Sequence, residues 1–221
     1  TRSTSSAASD VYKRQTPKKK RNIIIQYMRT TNIVKKTYSA SKNTIVVPKH
    51  FRDKDGKSRS MGYQAEQAFK AICLKNNYQW KNATKSENCT QHTDCHVTKP
   101  DGTTFSVDVK AAKKISRRDR KPQDQLTWVE WLDRRGKPGW VRSQVDCIAF
   151  QMLSGQFLMV NRAELEAHVT PLIEKHKDVF RVESQGCARN GILWRRYGNK
   201  DAMTLIFTED IVWLSKSYIL Q

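Results

Sequence analysis

The hydrophobic and polar positions of this chain first fall into order over residues 62–110. Gly62-Tyr63-Gln64-Ala65-Glu66-Gln67-Ala68-Phe69-Lys70-Ala71-Ile72-Cys73-Leu74 has helical spacing, with Ala65, Phe69, Ile72, Cys73 and Asn76 on one side. Glu66 lies on the border of that apolar stripe. The spacing predicts a helix capped by Ser58 or Ser60 and ending near Asn76-Asn77. Tyr78-Gln79-Trp80 begins a strand leading towards Asp94. From residue 104 the period becomes two. Phe105, Val107 and Val109 share one face of a strand; Thr104, Ser106, Asp108 and Lys110 share the other. Pro100-Asp101-Gly102 suits a hairpin loop closed by Lys99 and Thr103, with Gly102 in the left-handed position. Counting back down that hairpin sets Asp94 opposite Asp108.

Further along, Gln125–Trp131 alternates as a strand and Arg134–Pro138 reads as a loop. Val145–Phe150 and Phe157–Val160 form a second hairpin around Ser154-Gly155. Asn161-Arg162-Ala163-Glu164 reads as a capping box opening a helix to about Glu174. Asp201–Phe207 reads as a strand, and Thr208-Glu209-Asp210 as the start of a terminal helix. Trp128, Trp131 and Trp140 are expected to pack on a sheet or core, with base stacking as the alternative. Asp146 is expected to cap or to ion-pair.

The first hairpin carries the chemistry. Directly opposed carboxylates cost energy in a bare sheet, and a divalent cation removes that cost because hard cations take carboxylate oxygens. Asp94, Asp108 and the Val109 carbonyl are the candidate ligands, with Lys110 beside them. A helix laid over this face would aim Glu66 at the hairpin. Cys89, His92, Cys95 and His96 offer a rival, zinc-like set. Alternation sends Cys95 to the face opposite His92 and His96, and the set lacks a Cys-x-x-Cys pair. His92 and His96, sharing a face with Asp94, are candidates for touching phosphate or for auxiliary base chemistry.

A glutamate on the first helix, then Asp94, then Asp108-Val109-Lys110 resembles the PD-(D/E)xK nuclease superfamily. The Gly62-x-x-x-Glu66 opening is most similar to its Holliday-junction-resolvase-like and group I intron endonuclease-like branches. Thr93 stands where that motif has proline, and Asp108 where it more often has glutamate. The resemblance implies an α/β fold with a restriction-endonuclease-like core, a mixed central sheet flanked by helices. It implies a Mg²⁺-dependent DNA endonuclease, with Mn²⁺ able to substitute. Asp94, Asp108, Val109 and Glu66 would serve the metal, and Lys110 would assist. A nucleic-acid-binding module with a degenerate site is the alternative. Cutting both strands of a duplex would favour a homodimer.

Charge strengthens the nucleic-acid reading. The formal charge of +20 at pI near 9.9 calls for a polyanionic partner, and no apolar run is long enough to span a membrane. Lys113, Lys114, Arg117, Arg118, Arg120 and Lys121 follow the hairpin directly and form the candidate DNA-contacting loop. Five irregularly spaced cysteines and no visible signal peptide point to a reducing compartment, the cytoplasm. Residues 58–221 are read as the nuclease-like domain and 1–57 as a basic, largely flexible arm. Thr1–Gln15 resembles translated vector sequence more than native protein. Residues 1–60 hold 16 Lys/Arg against three Asp, so +13 of the +20 lies there, including the run Lys18–Arg21. Asn22–Met28 and Thr44–Val47 within it are rich in strand formers. Deleting residues 1–57 should therefore weaken DNA binding and flatten its salt dependence without unfolding the rest. An unchanged slope of log affinity against log salt would reduce the arm to a tail.

Overall fold

A computed structural model describes residues 57–116, 119–176, 185–196 and 198–221. The arm and its two strand-forming stretches lie outside the described residues, as do Arg117 and Arg118.

The chain opens with helix α1 (Lys57–Lys75), whose Ala65, Phe69 and Cys73 are fully buried at the predicted spacing. Ser58 and Ser60 sit inside this helix rather than ahead of it. Asn77, at φ 60°, turns the chain out of α1 into β1 (Gln79–Asn82). A short helix not foreseen above follows, α2 (Lys85–Gln91). Thr84 caps it by accepting the Glu87 N–H, while Glu87 reaches back to the Thr84 N–H at 2.7 Å. The predicted hairpin comes next: β2 (Cys95–Thr98), the loop, and β3 (Thr104–Lys110). Lys99 and Thr103 close it, Gly102 has φ 85°, and the register runs from Thr98↔Thr104 to Cys95↔Val107. Asp94 thus enters opposite Asp108, as the turn chemistry requires.

Strand β4 (Leu126–Leu132) leaves the main sheet. It pairs with β7 (Ala202–Phe207) in a separate two-stranded sheet. A 3₁₀ turn at Trp140–Arg142 leads to β5 (Cys147–Gln151), which runs parallel to β3. The second predicted hairpin joins β5 to β6 (Phe157–Asn161) through Gly155 at φ 85°. Helix α3 (Arg162–Lys175) follows, its Asn161 cap accepting the Glu164 N–H at 3.0 Å. Only half of the predicted capping box forms, because the Glu164 carboxylate accepts the Ser215 hydroxyl and the Lys216 N–H instead. The expected terminal helix is one short turn, α4 (Thr208–Val212). The Ser217 hydroxyl donates to carbonyls of Ile211, Val212 and Leu214, and the chain ends as β8 (Tyr218–Leu220) on the β6 edge.

The main sheet has strand order β1-β2-β3-β5-β6-β8, antiparallel everywhere except β3–β5. This is a mixed α/β architecture with a mostly antiparallel sheet flanked by helices. Two cores lie on its two faces. Val107, Val109, Ala149, Phe157 and Met159 pack under α1; Ile148, Phe150, Leu158 and Val160 pack against α3, Trp140 and the β4–β7 pair. Strands covered on both sides bury nearly every residue, and β6 is buried from Phe157 to Val160. All five cysteines are free thiols. Among the described residues, no helix is long and apolar enough to cross a membrane.

Gly139 joins β4 to the 3₁₀ turn at a spot where a Cβ would lie 2.2 Å from the Glu130 carbonyl oxygen. Backbone on both sides of that contact belongs to the crossover between β3 and β5. Gly139→Ala should cost about 2–4 kcal/mol of folding stability by chemical denaturation. A loss below about 0.5 kcal/mol would show that the crossover gives way freely.

Candidate active site at the end of strand β3

Asp108 is the unusual residue of β3. Its neighbours Val107 and Val109 face the α1 core, so its side chain goes to the opposite face, where only 2% of it is exposed. One oxygen, Oδ1, accepts from Lys110 Nζ at 2.6 Å. Among the described residues the other, Oδ2, is buried without a hydrogen-bond donor. Burial pushes the Asp108 carboxyl up to about 7; Lys110 pulls it back, and the neighbouring Asp94 charge adds to the rise. Lys110 is itself braced, its ammonium 5.1 Å from the centre of the Trp140 ring.

Asp94 stands just before β2 and turns its carboxylate across to β3. Oδ2 accepts the Val109 N–H at 2.8 Å and Oδ1 accepts from Asn88 Nδ2 of α2 at 2.7 Å. A backbone donor and an amide thus hold it in one orientation. The Thr84-x-x-Glu87 capping box, legible in the sequence as the signature of a helix start, is what brings Asn88 there. Glu87 Oε1 also accepts from His96 Nε2 at 3.0 Å, which leaves His96 tying α2 to β2 rather than meeting phosphate. Hydrogen bonds from Thr84 chiefly, then from His96, hold the Glu87 carboxyl down at about 2. His92 ends α2 in the left-handed region at φ 59°. Desolvation first, then Lys110, lowers its pKa; the Asp94 and Asp133 charges act the other way.

Glu66 reaches the site by a different route from the one expected. Helix α1 covers the Val107/Val109 face, not the Asp108/Lys110 face, because Ala65, Phe69 and Cys73 need the apolar side of β3. Half-buried Glu66 lies at the edge of that packing and faces Asp94 across an open cleft of about 600 Å³ between α1 and α2. Desolvation and then the Asp94 charge raise its carboxyl pKa, with Lys110 acting in the opposite direction. Glu66, Asp94, Asp108 and Lys110 therefore form one electrostatic cluster. Among the described residues, no three His, Cys, Asp or Glu side chains converge closely enough to hold a metal by themselves. Cys95 is sealed under α1 and Cys89 is exposed, so those thiols share no centre.

The charge pattern extends beyond the hairpin. Glu130 of β4 is half-buried, its carboxyl raised by desolvation and drawn back by Lys110, Arg196 and Lys113. Arg196 in turn clamps the fully buried Asp201 through its Nε and its backbone N–H. Sequence reading passed over Glu130 and Arg196 because their meeting depends on the distant β4–β7 pairing. Of the loop cations, Lys114, Arg120 and Lys121 are exposed; Lys113 has exposed surface too, but desolvation and then Lys110 lower its pKa while Glu130 acts the other way. Asp146 is a strand tie: its Oδ2 accepts the Ser106 N–H and hydroxyl, both at 2.8 Å. Trp128 donates to the Lys114 carbonyl and packs on Trp194, and Trp131 lies under the Arg142 guanidinium. The chain matches no protein-family model, no curated protein and no solved structure.

A carboxyl held near pH 7 in the fold and near 3.8 outside it stabilises the fold only while protonated. That contribution is complete below pH 4 and is lost as the pH rises through 7. Asp108→Asn should abolish this share of the slope and make the protein more stable than wild type at pH 8, by roughly 2–4 kcal/mol. Denaturation midpoints at pH 5 and pH 8 test it. Parallel pH profiles for the two proteins would rule out the raised Asp108 carboxyl.

Proposed function

We propose that this chain is a divalent-metal-dependent DNA endonuclease whose site is built on Asp94, Asp108 and Lys110. The observation that carries the reading is the Asp108 carboxylate: buried, one oxygen on Lys110, the other without a donor, and Asp94 beside it. A carboxyl whose proton affinity is raised by burial, and further by a neighbouring carboxylate, also favours a cation that reaches both. Asp94 and Asp108 would hold Mg²⁺ or Mn²⁺ together with the Val109 carbonyl, and Glu66, across the cleft, would act through the ion's water shell. When bound, such an ion supplies Lewis acidity, drawing charge from a phosphoryl oxygen and making a water more acidic.

The chain's own residues would do the rest. Asn88 and the Val109 N–H fix the Asp94 oxygens, so little reorganisation is needed as charge develops. Lys110, freed in part from Asp108 by a competing cation, has N–H groups to donate to a phosphate oxygen or a nucleophilic water. Trp140 beneath it limits where that ammonium can go. The exposed Lys113, Lys114, Arg120 and Lys121, with Arg117 and Arg118 in the same loop, would track the phosphate backbone. The mixed sheet flanked by helices, with Asp94 leading into β2 and Asp108-x-Lys110 ending β3, is in keeping with the restriction-endonuclease-like core that the motif resembles.

Asp108→Asn and Lys110→Ala, purified identically to wild type, should each lower Mg²⁺-dependent cleavage of plasmid and junction DNA by two or more orders of magnitude. Metal-free DNA binding should persist in Asp108→Asn, because a carboxylate that repels phosphates has gone. Lys110→Ala should weaken binding only modestly, as one cation among 41 Lys/Arg. Wild-type cleavage in Asp108→Asn would end the nuclease assignment at this hairpin, and the absence of any Mg²⁺-dependent cleavage in wild type would leave a nucleic-acid-binding module.

A further inference from the structure

The cleft between α1 and α2 is built from unlike walls. Tyr63 and Lys70 come from α1, Asn82 from the end of β1 and Lys85 from α2, while Glu66 and Asp94 also line it. Tyr63 is 62% exposed and stands on the far side of α1 from the buried Ala65 and Phe69. A single exposed aromatic is ordinary on a protein surface. Here it shares a concave space with two lysines and the candidate active-site carboxylates. Lys70 Nζ lies 6.0 Å over the Trp80 ring, and the Trp80 indole N–H donates to Asn82 Oδ1 at 2.7 Å, so the wall behind the cleft is braced.

Gly62 supplies an independent observation. It lies inside α1, one turn ahead of Glu66, where glycine weakens a helix relative to alanine. Packing among the described residues gives no reason for it: a Cβ there would meet none of them within 4 Å. Glycine in a helix with open space around it leaves room for another backbone to come close to α1 beside Tyr63 and Glu66.

The geometry points to this cleft as the seat of an unpaired nucleotide, its base stacked on Tyr63 and its phosphates between Lys70 and Lys85. The inference rests on the nuclease reading and names its substrate class: DNA that is single-stranded, or carries an unpaired end, next to the bond to be cut. Stacking on an aromatic ring inside a cleft needs a base that can leave its own stack, and the paired bases of a blunt duplex cannot enter the cleft singly. The carboxylates repel phosphate, so the backbone has to follow the two lysines past them until it reaches the ion-binding end of the cleft.

The test is binding, measured by fluorescence anisotropy of the full chain in metal-free buffer. The probes are a single-stranded 20-mer, a blunt duplex of that sequence, and the same duplex with an unpaired overhang. Tyr63→Ala should weaken the single-stranded and overhang probes by about 5- to 100-fold and leave the blunt duplex unchanged, and Tyr63→Phe should restore what Tyr63→Ala loses. Lys70→Ala and Lys85→Ala should each reduce the single-strand salt slope by about 0.7. Gly62→Ala should raise the melting temperature by roughly 1–4 °C and still weaken single-strand binding, a combination that a purely structural glycine would not give. Equal binding of the single strand by wild type and Tyr63→Ala overturns the inference, as does an equal loss on the blunt duplex. A Tyr63→Ala loss confined to unpaired probes, with cleavage untouched by Asp108→Asn, keeps the cleft as a binding seat and removes only the nuclease. A chain that binds none of the three probes overturns both.

Discussion

A carboxylate buried in the middle of a sheet is costly, and the arrangement around Asp108 is organised by that cost. Neither face of β3 offers it water, because α1 covers one side while Trp140 and the crossover cover the other. Relief comes from Lys110, two residues along the same strand and therefore on the same face. That relief is partial, since among the described residues one oxygen meets no donor and Asp94 adds a second negative charge. A proton or a cation is needed to complete it. A fold selected for stability alone would place valine here; the strain is kept at one position, and two apolar cores on either side offset it.

Surroundings serve that position in turn. Asn88 and the Val109 N–H orient Asp94, and Asn88 depends on the Thr84 cap of α2. Gly139 lets the crossover close tightly enough to set Trp140 under Lys110. Beyond Lys110, charges alternate through Glu130 and Arg196 to Asp201, so the positive groups nearest the site are each matched by a negative partner. Lys114, Arg120 and Lys121 of the following loop are exposed, which suits them to a polyanion.

Local chemistry was legible in the sequence wherever it acts over a few residues. Pro100-Asp101-Gly102 determined the hairpin register, and with it the opposition of Asp94 and Asp108; Ser154-Gly155 and Asn161 marked the second hairpin and the start of α3. What stayed hidden depends on distant partners. The face of β3 taken by α1 is set by where Ala149, Phe157 and Met159 present their apolar sides, and those strands come 40 or more residues later. The pairing of β4 with β7 spans a longer gap still, so Glu130 carried no sign of Arg196. The C-terminal Ile, Trp and Leu fit a helix as well as a turn and edge strand, and only the contacts of Ser217 and β6 decide between them. Helix α2 was readable from Thr84-x-x-Glu87 but too short to show periodicity.

The parallel pairing of β3 with β5 has a consequence for the order of events as the chain folds. The hairpin β2–β3 can close locally, but β3 meets β5 only after residues 111–146 have been laid across the sheet. Closing a loop of that length before its contacts form is the slow part of such a topology. Until then Asp108 lies on an open edge in water, an ordinary acid with no reason to retain a proton or to seek an ion. The raised proton affinity of Asp108 is therefore acquired late and all at once, when the crossover docks. A nascent or partly unfolded chain carries the same residues without that property.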